Sequence, residues 1–403
     1  MDLDQFAALR TPEGSAALAA AAEVAGGDPL AAAAALRSAG VPAALAAAAL
    51  TQAELRRRAV GKFGPAAAGM LLTRAGLEQA TRGVVAARRA DRLRAAGVRT
   101  LADLGCGLGA DALAAARAGI RVYGVEADPV TAAMAAANAE AAGLADRFTV
   151  ECGDATAFDV SRVDAAFCDP ARRRAGTGRR IFDPNAYSPP WDFVTALAER
   201  VPHTVVKVAP GLDHALIPAG AEAEWVSVGG DLVEAALWCG RLAEVPRRAT
   251  VVKEGCHQLT GSGAAEAAVG PVRRYVHDPD PAVVRAHLVA ELAGELDATL
   301  ADPTIAYLYA DAPGATPFAR CLEVTDVLPF SLKRLRALLR ERAVGRVEIL
   351  KRGSALEPER LRRDLRLAGP EAASLVLTRV AGAPTVLVCR PVTIPLDREA
   401  AAG

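Results

Sequence analysis

Between residues 101 and 111 the sequence reads LADLGCGLGAD, an apolar run that closes on Asp103 and turns through Gly105, Gly107 and Gly109 towards a helix. Glycines at this spacing let a backbone approach a bound ligand where a Cβ would stand in the way. One strand-helix unit later Glu126 closes VYGVEADP, where a carboxylate can accept both hydroxyl hydrogens of a ribose. Asp128 then suits an N-cap and Pro129 a first helical residue. Two more acids close apolar runs, Asp154 in FTVECGD and Asp169 in DAAFCDP. All of these positions fall at the expected carboxyl ends of parallel strands, the edge where open α/β sheets bind ligands.

The glycine spacing alone also meets the dinucleotide fingerprint if Ala110 takes the last glycine position, so a nicotinamide oxidoreductase is one reading. The acids favour another. A pyrophosphate would be repelled by Asp103, Asp154 and Asp169, whereas a sulfonium and an amino acid ammonium would be held by them. The rim therefore points to S-adenosylmethionine as cofactor. Acids serving only as caps or turn residues are the alternative.

These residues need a scaffold, and the pattern around them supplies one. Residues 1–95 are expected to be helical, with alanine and leucine at helical spacing and punctuation at Gly26, Gly27, Pro29, Gly40 and Pro42. Within them Arg56, Arg57, Arg58 and Lys62 could touch phosphate or form a solvated face. Residues 96–255 alternate short apolar runs with alanine-rich helices, which predicts a Rossmann-like, doubly wound parallel sheet. EWVSVGG, EAALWCG and ATVVKEG are expected to add a terminal antiparallel pair. Residues 256–319 read as a connecting unit around the helix AVVRAHLVAELAGELDATL, and 320–395 as a small α+β domain in which Ser331 caps a helix. The fold class is α/β.

With 403 residues the chain is long enough for two or three units. Its 47 basic and 47 acidic residues cancel, so any nucleic-acid surface must come from local segregation. Seven cysteines without a CxxC pair fit reduced thiols and a cytoplasmic protein, and the histidine spacing predicts no metal site. Glu23, Arg37 and Pro42 interrupt the alanine-rich run, which predicts no membrane span.

Over about residues 77–255 the sequence resembles class I S-adenosylmethionine-dependent methyltransferases, and DPVTAAMAAANAEAAGLADRFTVECGDA is similar to trimethylguanosine synthase-like RNA methyltransferases. The C-terminal residues resemble the THUMP-like domain that accompanies such enzymes, and LEQATR with DPAR extends the match. The resemblance implies that Asp103, Gly105, Gly107 and Gly109 line the methionine side of the cofactor, Glu126 its ribose and Asp154 with Ala155 its adenine, with Cys106, Asp111 and Ala127 also in the cofactor-binding set. Thr81, from a segment that folds over the cofactor in similar enzymes, joins this set unless it is an ordinary helix cap.

The resemblance also assigns the acceptor side. Asp169 opens DPAR where amino-methylating relatives carry an acidic or amide residue, two prolines and an aromatic. An exocyclic base amine is a poor nucleophile because its lone pair is delocalised, and acceptance of its hydrogens by Asp169 and the Pro170 carbonyl would free that pair. Here Ala171 and Arg172 replace the second proline and the aromatic. Arg172, Arg173 and Arg174 could stack on a base or hold phosphate, or form a solvated loop. The expected catalytic set is Asp169, Pro170 and Arg172. SPPW at 188–191 matches the same motif but leads into the helix WDFVTALAER, with Tyr187 and Phe182 as nearby rings. Basic residues Lys333, Arg334, Arg336, Arg340, Arg342, Lys351, Arg352, Arg360, Arg362, Arg363 and Arg366 suggest an RNA partner, tRNA or rRNA. The expected activity is methylation of an RNA base; a catalytically inactive RNA-binding or scaffold relative is the reading from another class.

Overall fold

The computed structural model describes residues 1–170 and 189–392. The N-terminal helices are α1 (Leu3–Leu9), α2 (Pro12–Val24), α3 (Pro29–Ser38) and α4 (Ala43–Phe63). Asp2, Thr11 and Asp28 cap the first three, and proline opens α2 and α3. Their shared core is small: Ala17, Ala21, Ala46, Ala49 and Ala53 interleave with Leu9 and Leu36. Helices α5 (Arg74–Gln79) and α6 (Gly83–Ala95) lead to the first strand.

Five parallel strands follow: β1 (Thr100–Leu104), β2 (Arg121–Glu126), β3 (Phe148–Cys152), β4 (Ala165–Cys168) and β5 (His203–Val208). Between them lie α7 (Ala110–Arg117), α8 (Pro129–Ala141) and α9 (Trp191–Arg200). β6 (Glu222–Val228) and β7 (Asp231–Gly240) are neighbours joined through Gly229 and Gly230, both at positive φ. β8 (Arg247–Val252) runs parallel to β6, and β9 (Cys256–Gly261) antiparallel to β8. The hydrogen-bonded order is β3-β2-β1-β4-β5-β7-β6-β8-β9. Strand order reverses between β1 and β4, which makes their carboxyl ends the switch point of a doubly wound sheet.

A second sheet has the order β11-β12-β10-β13-β16-β15-β14. Its strands are β10 (Tyr275–Pro279), β11 (Thr299–Leu300), β12 (Leu308–Ala310), β13 (Ala319–Pro329), β14 (Val344–Lys351), β15 (Glu371–Val380) and β16 (Ala383–Pro391). Alternate residues feed two cores: Val376 and Leu387 join Tyr307, Tyr309 and Leu322 on one face. Leu375, Leu377, Val386 and Val388 meet α12 (Leu332–Glu341) and α13 (Pro358–Leu365) on the other. Ser331 caps α12 by accepting from the Arg334 amide.

Residues 256–319 contribute β9 to the first sheet and β10 to β12 to the second. The long helix expected there is two short ones, α10 (Pro281–Arg285) and α11 (Val289–Glu295), separated at His287, whose φ of 59° cannot continue a right-handed helix. The chain divides into two compact units. One comprises Met1–Val208, Pro218–Ala221 and Leu237–Ala243; the other comprises Ala209–Ile217, Glu222–Ala236 and Glu244–Gly403.

Candidate active site

Asp103 sits one residue before the end of β1 and is only 1% exposed, and its Oδ1 has no hydrogen-bond partner among the described residues. Burial, then Asp111 and Asp169, push this carboxyl well above the usual aspartate range; Arg89 opposes them and Glu126 adds to them. Arg89, on α6, pairs with Asp111 and stacks over the Phe167 ring at 4.6 Å, so Asp111 is neutralised within the fold. The acids of β1, β2 and β4 are thus brought together. Asp154 stands apart from them: it is exposed and caps the turn Ala155–Ala157, where the Thr156 amide holds its carboxyl below the ordinary range.

The three glycines serve different ends. Gly105, Gly107 and Gly109 all have positive φ, at 92°, 56° and 84°. A Cβ on Gly107 would meet nothing within 4 Å, so its backbone borders open space. One on Gly105 would lie 3.8 Å from the Asp169 carbonyl oxygen, and one on Gly109 would strike the Phe148 ring at 2.7 Å. Glu126 is fixed by two amides, with Oε2 accepting from Gly107 at 3.0 Å and Oε1 from Asp128 at 2.9 Å. Each oxygen keeps a second lone pair for a hydroxyl. Cys106 is a buried thiol, pushed up by burial and by Asp103 and Glu126, while Ala127 and Ala155 are at least partly exposed beside the acids they follow.

Thr81 is buried, and its Oγ1 also has no partner among the described residues. It is not a helix cap: Arg82 holds the N-cap position of α6. Lys62 secures this segment by donating to the carbonyls of Leu77, Glu78 and Ala80 at 2.6, 2.9 and 2.9 Å. Arg56 likewise donates to the Met70 carbonyl and Arg57 pairs with Glu54, so these three are not reserved for phosphate.

On the acceptor side, Asp169 follows β4 and Pro170 is buried. The register that sets Cys168 opposite Val206 brings Asp169 beside Lys207 of β5, and Lys207 Nζ lies 2.6 Å from Asp169 Oδ2. Sequence reasoning missed Lys207. Its signal was a lysine inside the otherwise apolar run HTVVKV, where buried strands seldom carry charge. Arg172, Arg173, Arg174, Phe182, Tyr187 and Ser188 lie outside the described residues. Trp191 is buried as the first residue of α9, behind Pro190 as N-cap.

Of the eleven basic residues that suggested an RNA partner, six are engaged nearby. Arg342 pairs with Asp326, Arg352 with Asp278, Lys351 with Glu357, Arg360 with Asp364 and Arg362 with Glu359, while Arg336 donates to the Asp364 carbonyl. Lys333, Arg334, Arg340, Arg363 and Arg366 are exposed and make no ion pair among the described residues.

Residues 101–173 match a methyltransferase domain, 319–391 a THUMP domain-like family and 2–59 a domain of unknown function. An uncharacterized S-adenosylmethionine-dependent methyltransferase of Mycobacterium tuberculosis is 36% identical over 353 residues, 84% of this chain and 95% of that protein. The chain belongs to the S-adenosylmethionine-dependent methyltransferases. The crystal structure of a putative methyltransferase from Porphyromonas gingivalis W83 superposes on this methyltransferase with a TM-score of 0.71 at 21% identity, covering 88% of this chain and 92% of that one. That likeness supports the Rossmann-like fold and the C-terminal domain together. The enzyme's cofactor is S-adenosylmethionine, not a nicotinamide, and the donor set fits it: a buried carboxyl oxygen and a hydroxyl that both lack a partner among the described residues, and a glycine backbone left open. No helix of the described residues is long and apolar enough to cross a membrane.

Proposed function

We propose that this methyltransferase modifies a nitrogen of an RNA base. In this reading Asp103 receives the cofactor's ammonium, Glu126 its ribose, Ala127, Asp154 and Ala155 border its adenosine, and Cys106, Asp111 and Thr81 shape the pocket. Asp169 and the Pro170 carbonyl accept the hydrogens of the target nitrogen, and Arg172 contacts the substrate. When bound, S-adenosylmethionine supplies a methyl group on a positively charged sulfur that departs as a neutral thioether. The protein's share is to align the nitrogen and to accept its hydrogens as positive charge develops there.

The observation that carries this reading is the approach of the Asp169 backbone to the glycine turn, 3.8 Å from the position of a Gly105 Cβ. It supports an acceptor-side role for the segment that begins at Asp169, next to the donor-side loop. RNA as the substrate rests on the THUMP domain-like match and on its charge. Residues 319–391 hold fifteen lysines and arginines against eight acids in a chain that is neutral as a whole. Seven free cysteines support a reducing cytoplasm as the enzyme's compartment.

The test is transfer of tritiated methyl from the cofactor into total RNA from a strain lacking the enzyme, followed by mass spectrometry of the nucleosides. Label in one methylated nucleoside that is missing from the strain is expected. Label that enters protein or a small molecule and no RNA overturns the choice of substrate.

A further inference from the structure

We propose that Lys207 is a specificity-determining residue that bars protonated amines from the transfer position and confines the enzyme to uncharged nitrogen acceptors, the class to which nucleobases belong. The inference rests on the placement of Asp169 at the transfer position and deepens it.

An unpaired aspartate beside a methyl donor would attract any ammonium, whether an aliphatic amine, a polyamine or a lysine side chain, and a protonated nitrogen has no lone pair to methylate. Lys207 removes that attraction. Its Nζ lies 2.6 Å from Asp169 Oδ2 and 3.4 Å from the Gln79 carbonyl, with its side chain 10% exposed against 29% for Asp169. The cation is therefore held in the wall while part of the carboxylate faces outward. Oδ1 of Asp169 can still accept an N–H from a neutral base, whereas an ammonium entering there meets a fixed like charge. Lys62, anchored on the carbonyls of Leu77, Glu78 and Ala80, is close enough to Lys207 for repulsion, after burial, to help lower its own pKa to about 8. Charge is thus divided across the site. Asp103, whose Oδ1 has no partner among the described residues, remains for the cofactor's ammonium, and Asp169 is neutralised before the acceptor arrives.

The division can be read without knowing the substrate. Sinefungin carries an amine where the donor carries its methyl-bearing sulfur, whereas S-adenosylhomocysteine has a neutral thioether there, so the ratio of their affinities reports the charge at the transfer position. Lys207→Met and Lys207→Gln are expected to raise sinefungin affinity relative to S-adenosylhomocysteine by about ten-fold, the scale of one partly buried charge contact. Lys207→Arg should keep the wild-type ratio, and Asp169→Asn should shift it against sinefungin. If both neutral Lys207 variants match wild type while Asp169→Asn moves the ratio, the role given to Lys207 is wrong and the placement of Asp169 stands. If none of the variants moves it, both are wrong.

Discussion

Burial among other acids raises the pKa of the Asp103 carboxyl, so a cation held there favours release of its proton. Its folded pKa is raised, so between the ordinary aspartate value and the raised one the native state binds more protons than the unfolded state. Stability from this group is present at pH below the ordinary value and falls as pH rises through that window. In urea unfolding of the cofactor-free enzyme, Asp103→Asn is expected to flatten the fall that begins above the ordinary aspartate range, about pH 4. Titration calorimetry of S-adenosylmethionine at mildly acid pH, in buffers of different ionisation enthalpy, should show proton release for wild type and none for Asp103→Asn. Equal release in both would remove Asp103 from the ammonium site. Across the site, Asp169→Ala should abolish transfer with cofactor affinity within a few-fold, whereas Glu126→Ala should weaken the cofactor. Equal loss of affinity in the two would refute that division.

At the scale of elements, the glycine turn shows how packing and ligand approach compete for the same residues. Gly109→Ala would force a Cβ into the Phe148 ring at a φ of 84°, and about 1–3 kcal/mol of stability should be lost, measured as a shift of the urea midpoint at unchanged slope. Strands β1 to β5 were legible because they read as short apolar runs, and acids close those of β1 to β4. β13 was not: a register shift between Val324 and Asp326 breaks its alternation, so CLEVTDVLP shows no sustained period of two. β11 has two residues, too few for any pattern. Lys207 was missed although a lysine inside an apolar strand is a signal, and its partner was invisible, because the meeting with Asp169 depends on the register between β4 and β5, which are separated by the whole α9 connection.

Taken as a whole, the chain is neutral, with its excess of positive charge gathered in residues 319–391. If that excess meets phosphate, neutralising Lys333, Arg334 and Arg340 to glutamine should reduce the slope of log affinity for RNA against log salt by about two to three, one unit or slightly less for each phosphate left without its cation. An unchanged slope would assign RNA binding to another surface.

β10 supplies five paired residues to β13, from Tyr275 opposite Glu323 to Pro279 opposite Ala319, although the recognised C-terminal family begins at residue 319. A fragment cut at that boundary would bare a ready-made seam along β13, open to any other extended chain. The unit of kinship and the unit of folding therefore have different borders here. Whoever excises the tail alone should expect a sticky half-sheet, and should begin upstream of Tyr275 to recover a well-behaved piece.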